Sequence, residues 1–327
     1  MVDHNISTAQ AHIAAGRLPE AILALSNAVD GPSGQEALLL LAQLFRQADR
    51  PDDAVRALEM ALSRNPGDEE AKFQLANLAA DMGAVDGAEQ LYRDLLLSRP
   101  DSLPVRNNLA NLLRSTHRPG EGLQVLDEAM AAGRGNAHIL ATYGLCAMEC
   151  GDLAAARKAF ERALALEPDH GEARANLGEV LLLSGERAAG IATLRAARDG
   201  LAPAARAQVD VNLAFAHFLD GAYAPGWQAY ESRFAALPPT ERPARPFPQP
   251  RWNGAALEGA LLVWGEQGVG DEIIYAGMLE DALARTPRIV LECEPRLAPL
   301  FARSFPALEV VARSDPPAAR LERADIA

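Results

Sequence analysis

The sequence predicts a mostly α-helical protein, a superhelical solenoid of paired helices over residues 1–240 followed by a partial α/β domain over residues 251–327. Three observations carry this expectation. Small and large apolar residues recur with a period of 34. A run with six prolines, from Leu237 to Pro250, interrupts the pattern. Beyond it, apolar strand-like runs alternate with amphipathic helical stretches.

Pro66, Pro100 and Pro168 lie on one 34-residue grid, with Arg134 in the remaining slot. Counting back from each slot gives repeats at 35–68, 69–102, 103–136, 137–170 and 171–204. Position seven then holds Leu41, Leu75, Leu109, Tyr143 and Leu177, and position eight holds Ala42, Ala76, Ala110, Gly144 and Gly178. Position twenty holds Ala54, Ala88, Gly122, Ala156 and Gly190; position twenty-four holds Leu58, Tyr92, Leu126, Phe160 and Leu194. A two-residue shift restores the pattern at 207–240 through Leu213, Ala214, Gly221, Tyr230 and Pro238. Residues 2–34 fit more loosely, through Gly16, Ala21, Leu25 and Ala28, as a terminal repeat does.

The chemistry at these positions explains the period. Each repeat reads as two short helices turning near Gly83, Gly151, Gly185 or Gly221. Small residues at eight and twenty let the two helices approach, while large ones at seven and twenty-four fill the gaps between hairpins. Proline ends the second helix. This pattern of seven units resembles the tetratricopeptide repeat over residues 1–240. The resemblance implies a right-handed superhelix whose first helices line a concave face, with a protein or extended peptide segment as the partner.

That face has a polar file. The sixth position holds Gln74, Asn108, Asn176 and Asn212, interrupted by Thr142; Asn77 and Asn111 stand at the ninth. The segments RNNLANLL and ANLGEVLL are similar to repeats of O-linked N-acetylglucosamine transferases, in which groove asparagines hold the acceptor polypeptide. A carboxamide donates and accepts, so it can pair with peptide groups of any sequence. The same residues also suit a second role, bonding to adjacent helices and setting the stacking angle.

Bulk properties narrow the partner class. The net charge of -13 argues against phosphate-backbone binding, which requires a basic footprint. Before position 241 the chain carries 31 acidic and 21 basic residues, which suits a basic or neutral partner segment. Cys146, Cys150 and Cys293 form no disulfide framework and fit a reducing, cytoplasmic setting. Cys146 and Cys150 share a helix face, but no His or Cys pair completes a zinc set, so both read as small buried helix residues. The six histidines are scattered along the chain, and no metal site is expected. Neither a signal peptide nor a membrane span is expected.

Six prolines in residues 237–250 predict an extended linker. After it, ALLVWGEQ reads as a strand, GVGD as a glycine turn and EIIYAGMLEDALAR as a helix. RIVLECE, PRLAPLFARSF and LEVVAR continue the alternation, which argues for a parallel sheet. The turn GEQGVGDE lies at the carboxyl end of the first strand, where open α/β sheets bind ligands. It is neither a dinucleotide fingerprint, since Ile273 replaces the third glycine, nor a P-loop. Gly268 and Gly270 permit close backbone approach. Glu266 and Gln267 suit contact with an acceptor or phosphate, or simple closure of the turn. Asp271 precedes EIIYAG and is expected to be the N-cap of that helix.

The series YESRF, PRWNG, LLVWGEQGVGDEI and RIVLECEPRLAPLF resembles a bacterial family that joins tetratricopeptide repeats to a glycosyltransferase-like domain. That domain is related to the heptosyltransferases, of two-lobed GT-B fold. The resemblance implies a Rossmann-like GT-B N-terminal lobe in which Asp271, in the Gly270-Asp271 turn, deprotonates the acceptor hydroxyl. It also implies a nucleotide sugar as donor, bound by a second lobe that this chain is expected to lack, and no cofactor in this chain. The chain then reads as the acceptor-recognition part of a protein glycosyltransferase, inactive alone. The alternative is a non-enzymatic scaffold for protein–protein interaction.

Overall fold

The computed structural model describes residues 4–131, 133, 135–236, 245, 247–266 and 268–322. The chain divides into two compact units, Met1–Arg233 and Phe234–Ala327.

The first unit is a row of antiparallel helix pairs. They are α1 (His4–Ala14) with α2 (Leu18–Ala28), α3 (Gly34–Gln47) with α4 (Pro51–Arg64), and α5 (Glu69–Asp81) with α6 (Val85–Ser98). Next come α7 (Leu103–Ser115) with α8 (Pro119–Ala131), and α9 (Ala137–Glu149) with α10 (Leu153–Leu166). The last two pairs are α11 (Gly171–Leu183) with α12 (Arg187–Arg198), and α13 (Pro203–Leu219) with α14 (Tyr223–Tyr230). A short helix, α15 (Arg233–Ala236), follows. No strand occurs in this unit among the described residues.

The small-residue positions set the spacing within each pair. Ala42 and Ala54, Ala76 and Ala88, Ala110 and Gly122, Gly144 and Ala156, and Gly178 and Gly190 are all buried. At Gly144 an added Cβ would stand 2.7 Å from the Phe160 ring, and at Gly178 it would stand 2.7 Å from Leu194. Position twenty-four is buried throughout, at Leu58, Tyr92, Leu126, Phe160 and Leu194. Position seven is less uniform. Leu41 and Leu109 are buried, but Leu75, Tyr143 and Leu177 are only partly covered, because one side of each first helix faces the open side of the stack.

The tight turns need a left-handed residue, which glycine supplies at 83, 151, 185 and 221. In the equivalent 34-residue slots Asp49 (φ 55°) and His117 (φ 61°) adopt the same conformation, two residue types that tolerate it better than most. Successive first helices touch one another, α5 with α7, α7 with α9, α9 with α11 and α11 with α13. Among the described residues no second helices do so to the same extent, so the first helices form the inner side of the row. No helix there is long and apolar enough to cross a membrane.

The second unit contains a three-stranded parallel sheet of β1 (Ala260–Trp264), β2 (Arg288–Cys293) and β3 (Glu309–Ala312), in that order. Leu261 lies opposite Ile289, and Leu291 opposite Val310. The first crossover is α16 (Val269–Tyr275), a 3-10 turn and α17 (Leu279–Leu283); the second is α18 (Ala298–Ser304). Alternation assigns the faces. Leu261, Ile289, Leu291 and Cys293 pack with Leu279, Leu297 and Phe301 on one face. Ala260, Val290 and Val311 pack with Leu321 and Phe247 on the other. The Rossmann-like lobe expected here amounts, among the described residues, to this small sheet and its crossovers. The proline-rich run is described only at Arg245 and residues 247–250, which form no helix or strand.

The close approach of paired helices gives one alanine substitution opposite signs at two helical glycines. Gly190→Ala places a Cβ 2.9 Å from the Gly178 carbonyl oxygen and 2.8 Å from Leu182, and is expected to destabilise by about 1–3 kcal/mol in spite of the better helix former. Gly87→Ala, with open space around it, is expected to stabilise by up to about 1 kcal/mol. Urea unfolding of the two variants checks both signs.

Candidate functional site

The inner face carries the polar file, and much of it bonds between neighbouring hairpins. Asn77 Oδ1 accepts from the Tyr92 hydroxyl at 2.7 Å and from Asn108 Nδ2 at 2.8 Å. Burial pushes the Tyr92 phenol up to about 12, so the ring stays a hydrogen-bond donor at neutral pH. Thr142, which interrupts the asparagine series, belongs to the same ladder. Its hydroxyl donates to Asn107 at 2.7 Å, and Asn111 Nδ2 approaches it at 3.4 Å. Asn212 Nδ2 donates to Glu179 at 3.1 Å and its oxygen accepts from Gln208. Burial raises the Glu179 carboxyl above its ordinary range, and the Asn212 bond offsets part of that. Gln74 is buried and donates to Glu70 at 2.8 Å. Asn176 is half-buried on α11 and makes no side-chain hydrogen bond among the described residues.

In the second unit the turn after β1 differs from expectation. Val269 and Gly270 already belong to α16, and the N-cap is Gly268, without a side-chain bond. Asp271 is therefore in the third helical position and does not cap the helix. The chain enters its helical turn three residues earlier than the apolar pattern of EIIYAG indicates. The Asp271 carboxylate is half-buried and has no hydrogen-bond partner among the described residues. Gly268 and Gly270 are exposed, Glu266 is half-buried, and Gln267 lies outside the described residues.

The neighbouring Glu272 has the structural role. Its Oε2 accepts from the Glu294 amide at 2.9 Å and its Oε1 from Arg313 at 2.7 Å. Arg313 also donates to the Gly265 carbonyl at 2.7 Å, so one ion pair laces the carboxyl ends of all three strands. On the opposite sheet face the fully buried Glu292 pairs with Arg245, whose guanidinium also donates to the Ser314 carbonyl at 2.9 Å. Glu292 is thus committed to a structural pair. Burial raises the Cys146 and Cys293 thiols to about 11 each, which leaves both unreactive at neutral pH.

The histidines are not all scattered in space. His138 Nδ1 lies 3.3 Å from His170 Nε2, with Glu167 beside them.

Stacked hairpins with a polar inner face define the first unit as a helical-repeat solenoid. Models of the tetratricopeptide repeat match residues 6–69 and residues 45–112 and 147–209, together more than half of the chain. The chain belongs to the tetratricopeptide-repeat family. It is 36% identical over 265 residues to protein FlbA of Caulobacter vibrioides, covering 79% of this chain and 44% of that protein. It is 28% identical over 207 residues to cellulose synthase operon protein C of Pseudomonas fluorescens, covering 61% of this chain and 16% of that protein. The chain therefore spans less than half the length of these relatives. A crystal structure of a tetratricopeptide repeat protein from Parabacteroides merdae superposes with a TM-score of 0.62 at 14% identity, over 72% of this chain and 93% of that one. At that identity the likeness concerns the fold.

The inner-face geometry separates two asparagines of like appearance in sequence. Asn77→Ala removes the acceptor shared by Tyr92 and Asn108 and is expected to cost about 1–3 kcal/mol. Asn176→Ala removes no bond and is expected to stay within about 0.5 kcal/mol of the parent. Equilibrium unfolding of the two single variants makes the comparison.

Proposed function

We propose that the first unit is a protein-interaction scaffold that holds an extended stretch of another polypeptide along its inner face. The observation that carries this reading is the file of carboxamides on successive first helices, with hydrogen-bonding capacity left over. Each carboxamide offers two donors and two lone pairs. Asn176 uses none within the described protein, Asn108 and Asn111 use one donor each, and Asn111's partner is 3.4 Å away. Gln74, Asn77 and Asn212 are held in place by their own bonds. Such a surface takes peptide groups rather than particular side chains, and the acidic balance of the chain favours a basic or neutral segment.

A second reading makes this scaffold the acceptor-recognition part of a protein glycosyltransferase that uses a nucleotide sugar as donor, with Asp271 as the base on the acceptor hydroxyl. One observation favours it. Asp271, relieved of capping, presents an unengaged carboxylate just beyond the carboxyl end of β1, where parallel sheets bind ligands. In this reading the chain binds the acceptor.

A photo-crosslinking amino acid placed at Asn108, Asn176 or Asn212 is expected to trap one partner polypeptide in the cell, with adducts spread along a continuous segment of it. The same probe at exposed Glu161, on the second helix α10, is expected to trap none. Equal trapping at both places rejects the inner face as the binding surface. Asp271→Asn is expected to change stability by less than about 0.5 kcal/mol, since no bond is lost, and to abolish glycosylation of the trapped partner. Intact-mass measurement of that partner reads the result. A partner that is never glycosylated, or whose glycosylation is unchanged, rejects the glycosyltransferase reading and leaves the scaffold.

A further inference from the structure

The joint between the fifth and sixth hairpins differs from its equivalents. Three helix ends meet there, the start of α9 with His138, the end of α10 with Glu167 and the start of α11 with His170. The corresponding trios at the earlier joints are Glu36, Asn65 and Asp68, then Glu70, Arg99 and Ser102, then Pro104, Gly133 and Asn136. None of those contains an imidazole.

His170 also breaks a local rule. It stands in the N-cap slot that holds Asp68, Ser102 and Asn136 at intervals of 34, all residue types that cap well. Asp68 and Asn136 accept a helix N–H at 3.0 and 2.9 Å, whereas His170 Nδ1 does so at 3.3 Å. A weaker cap without evident local gain marks a functional candidate.

The ligand geometry suits one ion. The donor atoms of His138, Glu167 and His170 all lie within 4.8 Å of one another, and the two imidazole nitrogens are 3.3 Å apart. Two nitrogens bound at ~2.0–2.1 Å to one tetrahedral zinc ion stand about 3.3 Å apart. Glu167 is exposed, and a change of its rotamer brings the carboxylate to the same ion. We infer that His138, Glu167 and His170 form a site for a divalent first-row transition ion of the zinc, nickel or copper type, which pins the fifth hairpin to the sixth. Imidazole donors select such ions over magnesium and calcium. A fourth position remains open to water or to a group from a partner.

Binding requires a change of tautomer. His170 Nδ1 accepts the Ala173 amide, so the ring proton sits on Nε2 and is donated to His138 Nδ1. When the ion takes the Nε2 lone pair, that proton moves to Nδ1 and the cap bond is lost. The cap given up is the longest of the side-chain caps among the described residues.

The test uses the full chain, stripped with chelator and titrated with zinc or magnesium while melting is followed. Zinc well above its dissociation constant is expected to raise the melting temperature by roughly 5 °C, and magnesium to leave it unchanged. His138→Ala and His170→Asn are each expected to abolish the rise. His170→Asn is also expected to melt no lower than the parent without metal, because asparagine is the better cap. Cobalt in place of zinc is expected to give visible bands without thiolate charge transfer. No rise in the parent would overturn the site and leave a His–His hydrogen bond as the whole account. A rise that survives both variants, or a thiolate band from exposed Cys150, would overturn it by placing the ion elsewhere.

Discussion

Along the first unit, two helix backbones are drawn together at a pair of small residues, and the remaining packing follows from that approach. Where the pair is Ala42 and Ala54, Leu58 fills the gap; where Gly144 replaces alanine, the larger Phe160 ring takes the vacated space. Gly178 and Gly190 bring α11 and α12 close enough that a Cβ on either one would collide with leucine side chains. In the hairpin of Gly144 and Phe160 volume is thus traded between position eight and position twenty-four. This is the behaviour of a core packed at crystal-like density, where one methyl group is felt. Each hairpin hides one side of its first helix against its own second helix and leaves part of the other uncovered, so it needs a neighbour.

The stacking of neighbours then decides where polar groups meet. A first helix lies against the first helices before and after it, so inner-face side chains one repeat apart come within hydrogen-bond reach. Asn77 meets Asn108, Asn107 meets Thr142, and Glu179 meets Asn212. The C-terminal ends of the first helices obey the same geometry, as with Arg46 and Asp81 or Arg114 and Glu149, where exposure keeps each pair's contribution small. Tyr92 connects the two levels of organisation. Its ring fills the core at position twenty-four, while its hydroxyl reaches the inner face and fixes Asn77. Capacity for a ligand and rigidity of the stack therefore reside in the same carboxamides, and only a residue such as Asn176 separates the two.

The hairpins were legible because each one repeats the same steric problem, so alanine, glycine and large apolar residues mark the same slots. Asp49 and His117 were less visible, because they fill a glycine slot with residues that tolerate the left-handed conformation for a different reason. In the second unit, alternation identified the strands, but the ends of the elements followed tertiary contacts. Asp271 carries the chemical signature of a cap, yet the helix opens at Gly268 and it is Glu272 that ties the strand ends together. Its partner Arg313 lies 41 residues further on, and no local pattern in the sequence announces such a pair.

Sequence separation has a different meaning in the two units. In a solenoid, a separation near the period is a statement about adjacency. Gln35 with Asp68, Asn77 with Asn108, and His138 with His170 are 33, 31 and 32 residues apart, and all three pairs touch. Two histidines far apart along the chain thus meet at one joint, because their separation of 32 is close to the period. In the α/β unit no such rule holds. Arg245 reaches Glu292 across 47 residues and Ser314 across 69, distances set by crossover lengths and not by a repeat. A periodic fold thus encodes its long-range contacts in one number that sequence displays, whereas a βαβ fold disperses them over connections whose lengths vary independently.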